Sequence, residues 1–424
     1  MNKARAIARW ISFLLLIAAG QVCAELQVQI SQGVEGAIPV AVVPFANQGS
    51  LSDSLSQIVS ADLQRSGRFR TLAESAMQER PTAPDQVQQA AWQALGQDFV
   101  VVGQIRPSGD GYEADFHVVD VIRGTLVVSY RLPFGRAETR QAAHRIADVI
   151  YKAITGEPGA FATRVAYVSV SGEGANRRYN LQVADTDGYN PQSVIVSNEP
   201  IMSPAWSPDG TKIAYVSFES RRSAIYVQTL ATGERRKVSD APGINGAPAF
   251  SPDGSRLALT LSKDGNPDIY VMNLGSGGLT RITDYSGIDT EPNWSRDGRS
   301  IVFTSDRGGK PQLYLVSASG GSAERLTYEG DYNARGVFSP DGRSLAMVHG
   351  KGGDYRIAVM DLASRAVRVL TSGPLDESPG FAPNGSMILY AARRGQLAAV
   401  SIDGKVRQSL RIEGGAVREP AWSP

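Results

Sequence analysis

The sequence predicts an α/β N-terminal domain followed by an all-β six-bladed β-propeller that is closed by the C-terminal strand. Three observations lead to this fold class. A Ser-Pro-Asp-Gly motif recurs at regular spacing, and the strands missing at one end of the array of repeats are supplied at the other end. The residues before the array instead have apolar side chains at helical spacing. With 424 residues the chain is too long for one ordinary core, so two domains are expected.

Each repeat joins a short aromatic strand to a tight turn. The repeated segment of aromatic strand and turn occupies residues 204–210, 248–254, 292–298, 336–342 and 379–385, and it begins again at residues 420–424. Pro presets φ in the turn, Asp bonds nearby backbone, and Gly accepts a positive φ. The marking aromatic recurs at intervals of 44, 44, 44, 43 and 41 residues, at Trp206, Phe250, Trp294, Phe338, Phe381 and Trp422. A period in the low forties is typical of a four-stranded propeller blade.

The ends of the array predict how the ring closes. Residues 164–197 supply the last three strands of a blade but lack its aromatic strand, and residues 420–424 supply that strand. The C-terminus is therefore expected to pair into the first blade and leave no free sheet edge. Six second strands are expected, beginning near residues 165, 212, 256, 300, 344 and 387.

Residues 25–160 form the predicted α/β domain, and residues 161–424 form the predicted propeller. Apolar spacing predicts a strand at 38–45, a helix around 55–63, a second helix across 82–95, and a third from residue 137 to residue 153. Three strands are expected between the second and third helices, at residues 99–105, 112–121 and 126–132.

The first 24 residues are predicted to be an export signal. Three basic residues precede the apolar run 10–19, and small residues around Ala24 suit cleavage there; a lipoprotein anchor on Cys23 is the less favoured alternative. Removal of this segment would leave 40 basic and 42 acidic residues and no cysteine. A chain with this charge balance lacks the basic excess that is typical of nucleic-acid-binding proteins, so that class of function is not expected. No later run reaches the ~18 apolar residues of a transmembrane helix, so a protein outside the cytoplasm without a transmembrane segment is expected.

The sequence is poor in catalytic groups. His117, His144 and His349 are far apart and form no metal-ligand spacing, so they are predicted to be structural or surface histidines. No Gly-x-Ser-x-Gly motif occurs. We therefore expect no enzyme, no cofactor and no metal; the enzymatic alternative is a hydrolase of a glycan or small ligand that uses Glu291 and Glu377 as its acid pair.

The segments that enter the first strands are predicted to be loops around one mouth of the channel. Unlike the turns, they vary in charge, with carboxylates at Glu199, Glu291, Glu377 and Glu419 and cations at Arg335 and Arg418. Two interpretations stay open: these groups bind a partner, or they neutralise one another across the channel. A cation in the acid-lined channel is conceivable, but no ligand spacing supports it.

Residues 25–36 alternate apolar and polar side chains as a strand does. They are either an edge strand of the first domain or a detachable strand that pairs with a partner's sheet edge.

Taken together, the chain resembles the TolB family, the periplasmic components of the Tol-Pal cell-envelope system. The resemblance covers the exported length and rests on the domain order and on four segments: Asn-Gly-Ala-Pro at 245–248, Thr-Glu-Pro at 290–292, Leu-Asp-Glu at 375–377 and the terminal Pro-Ala-Trp-Ser-Pro. It implies that the protein supports outer-membrane integrity and cell division, with other envelope proteins and imported bacteriocins as further partners.

The same resemblance implies two partner sites. Binding of the lipoprotein Pal is expected at the propeller mouth, through Asn245, Gly246, Ala247, Thr290 and Glu291 together with Arg335, Glu377 and Arg418. Binding of TolA is expected through the N-terminal segment, at Glu25, Val28, Ile30, Gly33 and Val34. Ile244 stands where some relatives carry a polar residue, so a contact there is expected to be apolar in this chain.

Overall fold

The structure, a computed structural model, describes residues 28–32, 36–410 and 415–424. The signal segment predicted for residues 1–24 lies outside these residues. The N-terminal part contains strands β1 (Val28–Gln32), β2 (Ile38–Val42), β3 (Phe69–Thr71), β4 (Phe99–Ser108), β5 (Gly111–Asp120) and β6 (Thr125–Gly135), and helices α1 (Leu55–Arg65), α2 (Gln89–Ala94) and α3 (Thr139–Thr155). Short 3-10 helices cover Gln48–Ser50, Glu74–Ala76, Pro84–Gln86 and, further on, Gly174–Asn176.

The N-terminal domain is one mixed sheet with helices on both faces. The strand order is β3-β2-β4-β5-β6, and β2 runs parallel to both β3 and β4. Helices α1 and α3 pack over the core that contains Val40, Phe116 and Ile146, while Trp92 of α2 covers the other face. The first and third predicted helices are confirmed. The second is shorter than predicted, because Val87 and Gln88 are extended and separate a 3-10 turn from α2.

The remaining strands form six blades of four strands, as predicted. The first blade combines the C-terminal strand β30 (Ala416–Trp422) with β7 (Arg164–Ser171), β8 (Arg178–Asp185) and β9 (Gln192–Ser197). The second to fourth blades are β10 (Ile201–Trp206), β11 (Lys212–Ser217), β12 (Ala224–Thr229), β13 (Arg235–Ser239); β14 (Asn245–Phe250), β15 (Arg256–Leu261), β16 (Asp268–Asn273), β17 (Leu279–Arg281); and β18 (Asp289–Trp294), β19 (Ser300–Ser305), β20 (Gln312–Ser317), β21 (Glu324–Arg325). The fifth and sixth are β22 (Tyr332–Phe338), β23 (Ser344–Lys351), β24 (Asp354–Asp361), β25 (Val367–Val369); and β26 (Glu377–Phe381), β27 (Met387–Ala392), β28 (Gln396–Ser401), β29 (Arg407–Leu410).

The second strands are apolar at nearly every position because both of their faces are buried. Along β11, Ile213 and Tyr215 pack against the first blade, whereas Ala214 and Val216 pack against the third. A strand between two neighbouring sheets has no solvent face, so its sequence loses the alternation of a surface strand.

The Ser-Pro-Asp-Gly turns carry out the chemistry predicted for them. In the second blade Asp209 accepts hydrogen bonds from Ser207 Oγ at 2.5 Å and from the backbone N–H of Thr211 at 3.1 Å. These bonds, that of Ser207 first, lower the pKa of Asp209 to about 2. Gly210 has a φ of 66°, which supports the assignment of glycine to a left-handed turn position.

Closure by the C-terminal strand is confirmed. β30 pairs antiparallel with β7, with Trp422 opposite Val165. Trp422 Nε1 donates to Thr163 Oγ1 at 2.8 Å, and Ser423 Oγ accepts from the backbone N–H of Arg164 at 2.9 Å. Among the described residues, no helix combines the length and apolar character that crossing a membrane requires.

Candidate functional site: the propeller mouth

All six inner strands bulge at the same residue, three before the marking aromatic. At this residue the register shifts and the backbone is left-handed although no glycine is present: φ lies between 44° and 58° at Ser203, Ala247, Glu291, Arg335, Ser378 and Glu419. Such a conformation costs of order 1 kcal/mol for a residue with a Cβ, so the surrounding ring must impose it. The six bulged residues, apart from Glu419, line the central channel, whose volume is about 470 Å³.

The residue two positions before each bulged residue connects neighbouring blades in three cases. The backbone N–H groups of Asn245, Asp289 and Asn333 each donate, at 2.9 Å, to an oxygen of the loop between the second and third strands of the preceding blade. The segments predicted as entry loops therefore already belong to the inner strands in four blades, and that part of the prediction is wrong. The backbone hydrogen bonds to the preceding blade hold these residues in the sheet.

Asn245 is buried, with 1% of its surface exposed. Its side-chain oxygen accepts from Ser239 Oγ at 2.6 Å and from the N–H of Ala241 at 3.0 Å, while its Nδ2 donates to the Ala241 carbonyl at 2.8 Å. The side chain therefore shapes the loop beneath the mouth and does not itself reach the surface.

The rim of the mouth is apolar at one repeated position. Ile244, Ile288 and Leu375, which each stand six residues before the marking aromatic, are 51%, 50% and 53% exposed. We call these three side chains the apolar rim. Gly246, Ala247 and Thr290, which follow two of these rim positions in the chain, are all partly buried. The sequence predicts an apolar contact only at Ile244; the common spacing of the three residues from the marking aromatic is the signal that identifies the set.

A charged network spans the channel and connects four blades. Arg335 from β22 lies with its Nε 3.5 Å from Glu291 Oε1 and its Nη2 3.3 Å from Glu419 Oε2, and Nη1 donates to Ser378 Oγ. Burial alone would lower the pKa of Arg335, but the charges of Glu419 and Glu291 outweigh it and raise that pKa. Arg335 is thus held in the charged form.

The two carboxylates of the network are used by the backbone as well. Glu291 Oε2 accepts from the N–H of Arg335 at 3.0 Å and from Thr304 Oγ1 at 2.9 Å, and Glu419 Oε2 accepts from the N–H of Ser203 at 2.6 Å. For these residues the structure favours mutual neutralisation. Glu199, Glu377 and Arg418 are exposed instead, so their charges face solvent at the mouth.

The predicted acid pair of a hydrolase is not arranged for proton transfer. Glu291 makes three contacts with Thr304 and Arg335, whereas Glu377 is exposed on a different blade. His349 contacts Asn333 Oδ1 at 2.9 Å beside the mouth, and His117 and His144 lie in the N-terminal domain. A general acid or base must be free to reach its substrate.

The N-terminal strand β1 lies on the propeller. It pairs antiparallel with β29, with Val28 opposite Leu410 and Ile30 opposite Gln408, and becomes the fifth strand of the sixth blade. The interpretation of this segment as an edge strand of the first domain is therefore wrong. Glu25, Gly33 and Val34 lie outside the described residues.

Comparisons with known proteins agree on one family. The profile described as "TolB beta propeller domain" matches residues 151–424, and the one described as "TolB amino-terminal domain" matches residues 26–127. Proteins named "Tol-Pal system protein TolB" are similar: that of Thioalkalivibrio sulfidiphilus is 60% identical over 95% of this chain and 94% of its own length, and that of Methylobacillus flagellatus is 59% identical over 100% and 99%. The crystal structure of TolB from Acinetobacter baumannii has a TM-score of 0.88 and 45% identity, covering 94% of this chain and 100% of that one.

Proposed function

The chain belongs to the TolB family of the Tol-Pal system, and we propose that it is a periplasmic, non-catalytic scaffold that binds Pal at the propeller mouth and TolA through its N-terminal segment. In this role it supports outer-membrane integrity and cell division. The observation that carries the proposal is the apolar rim around a charged channel mouth.

The rim and the channel offer the two parts of a protein-binding surface. Three half-exposed aliphatic side chains supply apolar area that a partner can cover, and the charged groups just inside supply orientation. We propose Gly246, Ala247, Thr290 and Glu291 as Pal contacts, with Arg335, Glu377 and Arg418 contributing charge. Asn245 supports the site by shaping the loop that carries Ile244.

The Pal proposal is tested by titration calorimetry of residues 25–424 against the soluble domain of Pal. Ile288→Arg and Thr290→Arg should each weaken binding at least ~10-fold, because a charged side chain replaces or crowds apolar contact area. Ile122→Arg is the matched control, since Ile122 is also exposed, at 61%, but lies in the N-terminal domain. Equal affinity of all three variants and the wild type would place Pal elsewhere, and absence of wild-type binding would refute the Pal assignment.

Glu291→Arg is a poorer probe than Thr290→Arg. It would set two guanidinium groups against each other in the channel, because Glu291 is an ion-pair partner of Arg335. Loss of binding would then be confounded with loss of the network. Glu291→Gln keeps the size of the side chain and is the better test of its charge.

For TolA we propose that β1 exchanges between two sheet edges. Docked on β29 it completes the sixth blade, and released it is available to a TolA sheet edge through the backbone hydrogen bonds of an added strand. The proposed contacts are Glu25, Val28, Ile30, Gly33 and Val34. If Pal and TolA favour different positions of this strand, their affinities are coupled, and the coupling is reciprocal.

The exchange is tested by measuring the affinity for the soluble domain of TolA with and without saturating Pal. A change of ~5-fold or more, matched by an equal change in Pal affinity when TolA is saturating, supports the exchange. Identical TolA affinities in both titrations would contradict it. Deletion of residues 25–33 should abolish TolA binding while leaving the propeller folded.

A further inference from the structure

A cluster of ligand-type side chains bridges the two domains on the side away from the mouth. His144 on α3 faces Asp185 at the end of β8 and Asp187 in the turn that follows, and one potential ligand atom from each of these three residues lies within 4.8 Å of the others. His144 is 1% exposed, and its Nε2 has no hydrogen-bond partner. A buried imidazole nitrogen without a partner is costly unless a proton or a metal ion satisfies it.

The other ring nitrogen fixes the direction in which the lone pair points. Nδ1 of His144 lies 2.6 Å from Asp62 Oδ2, and an ionised carboxylate can only accept, so the proton of the neutral ring is on Nδ1. The lone pair of Nε2 then points toward Asp187, whose Oδ2 is 3.7 Å away. A carboxylate behind a histidine is the usual support of a metal ligand.

We propose that His144, Asp185 and Asp187 bind a divalent transition-metal ion, with Zn²⁺ as the probe, and that this ion ties the N-terminal domain to the first blade. Zinc accepts imidazole and carboxylate ligands at ~2.1 Å, which places ligand atoms ~3.4 Å apart in a tetrahedral site. The 3.7 Å between Nε2 and Oδ2 requires little adjustment to reach this geometry. A groove of about 590 Å³, lined by Asp53 and Asp185 among others, gives the ion a path.

Arg140 is the competing cation. Its Nη2 donates to the same oxygen of Asp187, while its Nη1 lies 3.8 Å from Asp53 and its guanidinium stacks on Tyr189. These last two partners can retain the side chain when a metal ion takes its place on Asp187. The proposal therefore predicts that removing the charge of Arg140 strengthens metal binding.

Protons compete for the same nitrogen. Burial lowers the pKa of His144, but the charge of Asp62 and its hydrogen bond outweigh burial and raise that pKa. A bound metal ion and a proton on Nε2 therefore exclude each other. The charged groups that face the imidazole are Asp62 and Arg65 of α1, Arg140 and Asp148 of α3, and Asp185 and Asp187 of the propeller.

The test is equilibrium dialysis against Zn²⁺ with metal analysis, combined with thermal unfolding with and without the ion. Wild type should bind one ion per chain and unfold roughly 3 to 6 °C higher at ~100 times Kd. Asp185→Asn should weaken binding at least ~10-fold, and Arg140→Gln should strengthen it. Within the described part of the chain the carboxylate of Asp185 accepts no hydrogen bond, so the Asp185→Asn variant is expected to fold.

His117→Gln is the control, because His117 Nε2 lies 3.5 Å from Asp115 without a third ligand in the described residues. Its zinc binding should equal that of wild type. Absence of stoichiometric zinc binding, or binding that Asp185→Asn leaves unchanged, would overturn the proposal and leave His144 as a buried structural histidine paired with Asp62.

Discussion

The network across the channel should contribute measurably to ring closure, and a double-mutant cycle on Arg335 and Glu419 tests this. Glu419 stands on the C-terminal strand, whereas Arg335 stands on the fifth blade. Two unit charges ~4 Å apart interact by ~4 kcal/mol at an effective dielectric constant of ~20. Because 27% of the Arg335 side chain and 13% of the Glu419 side chain are exposed, water in the channel screens the pair. We expect a coupling free energy of ~1–2 kcal/mol.

The cycle consists of Arg335→Met, Glu419→Gln and the double variant, and the free energy of unfolding in urea is the readout. Arg335→Met should be the most destabilising single change, since it leaves Glu291 and Glu419 without the cation between them. The double variant should recover part of that loss. The matched control is the ion pair of Lys310 and Asp331, which is 2.6 Å long with side chains 64% and 56% exposed. Its coupling should stay below ~0.5 kcal/mol.

A coupling at Arg335 and Glu419 no larger than that of the control pair would refute the reasoning. It would mean that water in the channel solvates these charges as completely as bulk water solvates charges on the surface. The ring would then be closed by strand pairing and apolar packing alone. A coupling above ~1 kcal/mol that changes little between 0.15 and 1 M salt would confirm that the pair is shielded from mobile ions.

Three further predictions concern single positions. Thr163→Val should lower the free energy of unfolding by ~1–2 kcal/mol, because the indole N–H of Trp422 loses its acceptor, and in a Trp422→Phe background the same change should have little effect. Asn245→Ala should cost ~2–3 kcal/mol in urea unfolding, since Ala241 loses both bonds to a buried side chain; a cost below ~0.5 kcal/mol would contradict its supporting role. Burial raises the pKa of Asp148 to about 6, against the two backbone N–H bonds that lower it. The folded chain therefore binds this proton more tightly than the unfolded chain does, and the free energy of unfolding falls as pH rises from ~4 to ~6. Asp148→Asn should remove that slope, worth up to ~3 kcal/mol, in unfolding measured across this range; an unchanged slope would show that another group produces it.

The propeller could be predicted from sequence because its signals are local and repeated. The turn at Asp209 and Gly210 forms its hydrogen bonds within five residues, and the same Ser–Asp bond recurs in the next three blades. The bulges at Glu291 and Arg335 have no such signal, because the closed ring imposes a left-handed conformation on residues that do not prefer it. The sequence predicts Asn245 as a surface contact for a related reason: its backbone N–H donates to Ser223 of the preceding blade, a contact that the local sequence does not encode.

The way the ring closes also determines when the proposed Pal site exists. Arg335 gains its second carboxylate partner only when Glu419, at the far end of the chain, has paired into the first blade. Before closure Arg335 retains Glu291 alone, and the N–H of Ser203 lacks the carboxylate that accepts it at 2.6 Å. The charges at the mouth therefore reach this arrangement only in the closed ring. A partner that recognises both the apolar rim and these charges binds the closed propeller in preference to any open form, and by binding it stabilises the closure.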